Sequence, residues 1–181
     1  MEFLIKGKQI NLRKLKMNDA NKKYMQWLND FETNKFMETR HYNHTINKIR
    51  KYIKECKLNN SLLLAICLKT KNNLHIGNIK IGQINNFHKT AEISYFIGNK
   101  KEWGKGYGTE AVKLAVEYSF KTLNLYKCLA GVYGSNISSY KLLKKTGFKK
   151  EAKIRNIFEY NSDREDHIIF SITNKNYYVQ K

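Results

Sequence analysis

Three glycines alternate through Trp103-Gly104-Lys105-Gly106-Tyr107-Gly108-Thr109, between a strand-like run at 92–98 and a helix-like run at 110–123. Glycine puts no side chain over its amide, so the alternation leaves a row of N–H groups open. The helix that follows adds the positive end of its dipole at the same spot. A phosphate-binding loop is the expectation. It is not a P-loop, because no Gly-Lys-Ser/Thr follows a four-residue spacer, and Thr109 and Glu110 break a dinucleotide fingerprint.

Around this loop the chain reads as strands and helices in mixed order. Residues 7–15 suggest a strand, and Asn18-Asp19 offer an N-cap for a helix carrying Tyr24, Trp27 and Leu28 at helical spacing. Residues 31–45 have no clear period, and a second helix spans 46–58. The intervening Phe36-Met37-Glu38-Thr39-Arg40-His41 reads equally as a linker or as a binding segment. Three strands should follow. Residues 62–68 are apolar throughout, as in a strand covered on both faces. Residues 74–84 slip phase at Gly77-Asn78, which predicts a bulge. Residues 92–98 place Glu92, Ser94 and Phe96 on one face and Ile93, Tyr95 and Ile97 on the other.

Beyond the loop, Val112, Ala115, Val116 and Ser119 form the stripe of an amphipathic helix. Residues 127–133 read as a strand, 136–146 as a helix closed by Gly147, and 149–158 with 167–173 as a hairpin about Asn161-Ser162-Asp163. Strands interleaved with helices argue one α/β domain over residues 1–181.

The formal charge of +19 raises the question of nucleic acid, since Lys and Arg bind phosphate backbones by counterion release. The lysines, however, are spread along the whole chain beside abundant Asn, Ile and Tyr and no Pro, the usage an A/T-rich genome leaves behind. No nucleic-acid partner is expected, although a basic surface favours acidic ligands. Cys56, Cys67 and Cys128 are odd in number and far apart, and the five histidines lack ligand spacing, so neither a disulfide nor a metal is expected. No apolar run approaches the ~20 residues that cross a bilayer and no apolar leader opens the chain. A cytoplasmic protein with no membrane partner is the expectation.

Three motifs in order carry a resemblance: Glu92-Ile93-Ser94-Tyr95-Phe96-Ile97, then Trp103 through Ala111, then Asn136-Ile137-Ser138-Ser139-Tyr140-Lys141-Leu142-Leu143-Lys144-Lys145-Thr146-Gly147-Phe148. Together they resemble the GNAT N-acetyltransferases, most closely the branch typified by ribosomal-protein N-acetyltransferases, over nearly the whole chain. The resemblance implies a bent mixed sheet flanked by helices, in which the strands holding Glu92 and Lys127 splay apart and the pantetheine of acetyl-CoA lies in the gap. Phe96 and Ile97 would then pair with pantetheine through their backbone. The amides of Trp103, Gly104, Lys105, Gly106, Tyr107, Gly108 and Thr109 would hold the pyrophosphate, with Asn136 on the opposite wall and Lys100, Lys101 and Lys105 near the phosphates. Trp103 stands where the family signature has Gln or Arg, so backbone amides rather than that side chain are expected to do the holding.

Acetyl transfer to an amine needs a neutral nucleophile, yet an alkyl ammonium has a pKa near ~10. Glu92 is the candidate base. The leaving thiolate needs a donor, and where many members have a tyrosine this chain has Leu143. Attention passes to Ser139, which matches a serine given this role in the resembling branch, with Tyr140 second. Cys67 and Cys128 lie in apolar strands that suppress thiolate formation, so direct transfer is preferred to an acyl-enzyme. For the acceptor, Trp27-Leu28-Asn29-Asp30 followed by Asn34 through His41 resembles members that acetylate nucleotide-linked amino sugars in bacterial surface-glycan synthesis, with Arg40 and His41 as the substrate-binding candidates. A protein N-terminus, an aminoglycoside or a polyamine are the alternatives, and a non-catalytic acetyl-CoA or nucleic-acid binding module is the alternative of another class. A homodimer formed through exposed final strands such as 168–172 is a further expectation.

Overall fold

The computed structural model describes residues 2–160 and 162–178. Its chain opens on two short antiparallel strands, β1 (Ile5–Lys6) and β2 (Ile10–Lys14). The first helix, α1 (Lys22–Asn29), starts later than Asn18-Asp19 would place it: Met17–Asp19 form a 3-10 turn, and the cap is Asn21, whose side chain accepts from the Tyr24 amide. Asp19 is drawn instead to Arg13, whose Nη1 and Nη2 each donate to it at 2.7 Å. A four-residue helix, α2 (Phe31–Asn34), a 3-10 segment (Glu38–His41) and α3 (Ile46–Leu58) follow. The two short pieces leave no mark in periodicity because a single turn has no repeat. Thr45 caps α3 by accepting from the Lys48 amide.

Next comes an antiparallel meander of β3 (Leu62–Leu68), β4 (Leu74–Asn85) and β5 (Thr90–Ile97). The phase slip in β4 is a bulge: pairing steps from Ile66↔Gly77 to Cys67↔His75, which leaves Ile76 as the extra residue. The remainder is α4 (Tyr107–Lys121), β6 (Lys127–Tyr133), α5 (Ile137–Lys145), and the hairpin of β7 (Lys149–Tyr160) and β8 (Asp163–Thr173). Of the expected hairpin turn, Asn161 lies outside the described residues.

The eight strands form one sheet in the order β1-β2-β3-β4-β5-β6-β8-β7. The expectation that 168–172 is an exposed edge fails here. Phe170 in β8 faces Ala130 of β6 on one side and Lys150 of β7 on the other, so β8 is spent on intramolecular pairing and β7 is the edge.

Side chains alternate through the sheet into two cores. Leu64, Ile66 and Leu68 join Val112, Ala115 and Leu143 on the α4/α5 side. Leu63, Ala65 and Cys67 join Tyr24, Trp27 and Ile49 on the α1/α3 side. That double coverage is why β3 is apolar without alternation, and each such Leu or Ile contributes roughly 1.5–3 kcal/mol by leaving water. At the end of β5, Gly98 is required by packing, since a Cβ there would lie 2.1 Å from the Trp27 ring.

One junction departs from regular pairing. β5 and β6 run parallel and share only the pairs Thr90↔Lys127, Ala91↔Cys128 and Glu92↔Leu129. Beyond Glu92 the strands part, β5 staying with β4 as far as Ile97↔Gly77 and β6 with β8 as far as Tyr133↔His167. The splay implied by the resemblance is present, and it opens the sheet between two packed layers.

Candidate active site

The parting strands line a cavity of about 570 Å³. It draws on both cores: Val132 and Leu143 come from the α4/α5 side, Leu28 and Ile49 from the α1/α3 side, so the cavity passes through the sheet rather than lying on one face. Glu92 lies on its wall at the last shared pair of β5 and β6, exposed, with Lys80 one diagonal step away across β4 (Lys80↔Ser94, Gly82↔Glu92). Phe96, Asn136 and Ser139 also line it. Asn136 caps α5, its Oδ1 accepting from the Ser139 amide at 3.2 Å, which sets the Ser139 side chain in the first turn.

The glycine loop follows β5 and is tied to its end through Trp103 and the Ile97 carbonyl; neither Ile97 nor any of residues 103–109 lines the cavity. Gly104 and Gly106 have φ of +74° and +86°, and a Cβ on either would meet nothing within 4 Å. Only conformation demands glycine there, and the space above stays open. Gly106 is the N-terminal boundary of α4 and no side chain caps it; the first helical bond runs from the Glu110 amide to the Gly106 carbonyl. The preceding amides of α4 therefore have no partner within the helix and face the dipole's positive end. Gly108 is a packing position, where a Cβ would come 3.2 Å from Leu142 of α5. Glu110 is structural: Oε1 accepts from the Gln9 amide at 2.9 Å and ties α4 to the start of β2.

An uncapped, glycine-opened helix start beside a gap with unpaired strand edges fits a ligand carrying phosphates at one end and amides along its length. The acetyltransferase (GNAT) domain model matches residues 9–149. The chain belongs to that family. Membership makes it an N-acetyltransferase with acetyl-CoA as acetyl donor.

Among sequence relatives, this GNAT member is 41% identical over 100 residues to the probable N-acetyltransferase YjcK of Bacillus subtilis (strain 168), a stretch covering 55% of each chain. Among solved structures it matches the spermidine N-acetyltransferase from Vibrio cholerae in complex with CoA and spermine, with a TM-score of 0.84 at 22% identity, over 94% of this chain and 98% of that one. The ribosomal L7/L12 α-N-protein acetyltransferase RimL in complex with coenzyme A matches with a TM-score of 0.83 at 14% identity, over 95% and 98%. At these identities the structural likenesses establish the fold.

Several side chains of the GNAT site lie elsewhere than their sequence positions suggest. Trp103 is 41% exposed, yet its indole Nε1 donates to the Ile97 carbonyl at 2.6 Å. The side chain thus ties the loop back to the end of β5, on one of the two backbone groups the resemblance assigns to pantetheine. Lys100 pairs with Asp30 at 2.7 Å, and Lys105 pairs with Glu102, which also receives Lys71. Glu102 is only 2% exposed, and the Lys71 and then the Lys105 ammonium hold its carboxyl below the usual carboxylate range. Lys105 is therefore held at the loop by a buried carboxylate.

Arg40 and His41 do not line the cavity. Arg40 Nη1 donates to the Tyr133 hydroxyl at 2.5 Å and Nη2 to the Glu159 carbonyl at 2.6 Å, and its guanidinium lies over the Tyr133 ring. It fastens the 3-10 segment to β6 and β7, which leaves it little to offer a ligand. His41 is exposed outside the cavity, whereas His44 lines it, its Nε2 2.8 Å from the Thr39 carbonyl. Tyr140 packs on the core, edge-on to Phe170 with centroids 5.2 Å apart, and does not line the cavity. Its helical neighbour Ser139, turned about 100° away, does line it.

Tyr95 and Glu38 are among the cavity residues not singled out from the sequence. Tyr95 lines it, because the face opposite Glu92 is uncovered once β6 departs. Glu38 lines it too, its carboxylate accepting from the Tyr133 hydroxyl. No period marks either, since one depends on strand splay and the other on an irregular segment. Cys67 and Cys128 are buried, and burial raises both thiols, Cys128 to about 11, so they are inert as nucleophiles. Among the described residues no group of three or more His, Cys, Asp or Glu is gathered for a metal, and no helix is long and apolar enough to cross a membrane.

Proposed function

We propose that the protein acetylates the primary amine of a small polycationic acceptor of the polyamine kind. The pantetheine arm of acetyl-CoA would enter the β5/β6 gap beside Phe96, the pyrophosphate would meet the amides of 103–109, and Asn136 and Ser139 would flank the thioester. The acceptor would arrive from the 36–44 side. There Glu92 takes the ammonium proton, directly or through water, so that the neutral amine attacks the thioester carbonyl, whose developing oxyanion needs an N–H donor such as the unpaired edge of β5 can supply.

The observation that carries the acceptor class is Glu38. A carboxylate oriented by Tyr133, 3.8 Å from the Arg40 guanidinium and largely exposed, lines the same cavity as Glu92 and the rings of Phe36, Tyr42 and Tyr52. Carboxylates and aromatic faces together suit an alkyl ammonium at a distance from the reacting amine. The spermine and spermidine named for the Vibrio cholerae structure support the same class. A nucleotide-linked amino sugar is the second reading, favoured by Lys48 and Lys80 on the cavity wall. Arg40, the cation expected to meet the nucleotide, is engaged with Tyr133 and Glu159.

Release of free thiol from acetyl-CoA, measured against spermidine, spermine, amino-sugar nucleotides and N-terminal peptides, decides between them. Turnover with the polyamines is expected, and Glu38→Gln should raise KM for the polyamine about tenfold while leaving KM for acetyl-CoA unchanged. Turnover confined to sugar nucleotides or peptides would overturn the acceptor class.

A further inference from the structure

Immediately before the glycine loop stands a carboxylate kept from water, Glu102, with 1% of its side chain exposed. Two ammonium groups bracket it: Lys71 Nζ lies 2.6 Å from Oε1 and Lys105 Nζ 2.9 Å from Oε2. The two lysines come from different parts of the fold. Lys105 stands in the loop between Gly104 and Gly106, whereas Lys71 ends a 3-10 turn, Lys69–Lys71, between β3 and β4. Sheet pairing carries that turn to the loop. β3 and β4 meet at Leu68↔Leu74, and Gly77, three residues further on, pairs with Ile97, the last residue of β5.

Both supports of the triad are tied down. On the turn, Lys69 Nζ donates to the Gly7 carbonyl at 3.1 Å and Asn73 Oδ1 accepts from Asn11 at 3.3 Å. On the approach to the loop, the Gly98 and Asn99 amides donate to the Ile76 carbonyl at the β4 bulge, at 2.9 and 3.0 Å, and Asn99 caps the 3-10 turn Lys100–Glu102. A buried ion pair is a weak source of stability, because the loss of hydration offsets the attraction. What this one supplies is a fixed place for two side chains that are otherwise flexible. Two cations on one carboxylate leave an excess of positive charge. Each ammonium has three donors, and the side chains of Lys71 and Lys105 remain 52% and 49% exposed, so donors are left for a further anion.

We propose that Lys71 and Lys105 together bind a phosphate of coenzyme A beside the amides of residues 103–109, and that Glu102 is the positioning residue that holds the two ammonium groups there. The proposal rests on the acetyl-CoA reading of the loop. The coenzyme offers two such anions, its diphosphate and its 3′-phosphate, and either presents oxygens that accept charge-assisted bonds from an ammonium. Lys100 is committed to Asp30 and leaves the task to the other two. Because the lysines are set before the ligand arrives, binding does not have to order them. In the sequence Lys71 is one cation in a Lys and Arg total of 34, and 31 positions separate it from Glu102, so only the sheet pairing reveals the partnership.

The test is calorimetric titration of coenzyme A and of dephospho-coenzyme A into the wild type, Lys71→Gln and Glu102→Gln. Lys71→Gln alters a half-exposed turn residue and leaves Glu102 paired with Lys105, so it should melt close to the wild type. It should bind coenzyme A about tenfold more weakly. A loss seen with coenzyme A and absent with dephospho-coenzyme A assigns the ammonium to the 3′-phosphate; an equal loss with both assigns it to the diphosphate. Glu102→Gln decides the positioning role by its sign. It removes a negative charge from beside the phosphates, so charge alone would tighten binding, whereas release of the two lysines should weaken it several-fold. Wild-type affinity for both ligands in Lys71→Gln overturns the phosphate contact, and unchanged or tighter binding in Glu102→Gln overturns the positioning role. A wild-type protein that takes up neither ligand overturns the acetyl-CoA reading of the loop and the proposal with it.

Discussion

His75 illustrates how one buried side chain makes this fold answer to pH. Its ring packs edge-on against Trp27 with centroids 5.1 Å apart, and Nε2 lies 2.7 Å from Asn78 Oδ1 and 3.0 Å from the Gly77 carbonyl at the β4 bulge. Burial, the dominant influence, pushes the imidazole below its ordinary value of ~6.5 despite those acceptors. The sign follows from proton counting. As pH falls through ~6.5 the unfolded chain takes up a proton that the folded chain still refuses, so the unfolded state gains and stability drops. Melting temperatures recorded between pH 8 and pH 5.5 should therefore decline, and His75→Gln should flatten the decline. Identical slopes in the two proteins would show that His75 does not set it.

At the scale of elements, the start of α4 is where conformation and ligand chemistry meet. Gly106 bounds the helix at a φ of +86°, a conformation that costs any L side chain although space above it is free. Gly106→Ala should lower stability by about 1 kcal/mol in denaturant titration and weaken acetyl-CoA binding several-fold by calorimetry, because the strained loop turns its amides away. Unchanged binding would place the pyrophosphate elsewhere. This loop, α3, β3 and β6 were legible in the sequence, since each is long enough to show a period or is bounded by glycine or a cap. The 3-10 piece at Glu38–His41 was not, and with it went the true employment of Arg40, whose partners Tyr133 and Glu159 lie 93 and about 119 positions away. Tyr95 was placed on a strand face correctly, but the meaning of that face depends on how far β6 travels with β5, which no local pattern records. The edge of the sheet was misjudged for a similar reason: β8 and β7 have comparable composition, and only the order β6-β8-β7 decides which is covered.

Over the whole molecule, eight strands and two helical layers serve to hold one gap open. β5 is kept by β4 and β6 by β8, so each wall of the gap is a strand paired on its far side. The glycine loop is tied to the end of β5, and the 36–44 segment, pinned by Arg40, lines the cavity. The lysines that give the chain its charge of +19 are spread over this frame, and the loop keeps Lys105 in place through buried Glu102. The proposed function requires acetyl transfer in this gap with Glu92 as base. Thiol release by Glu92→Gln beside the wild-type protein, with acetyl-CoA affinity measured in parallel, tests it most directly. A fall in kcat/KM of about a hundredfold or more with acetyl-CoA affinity unchanged is expected. Glu92→Gln turning over at the wild-type rate would contradict it.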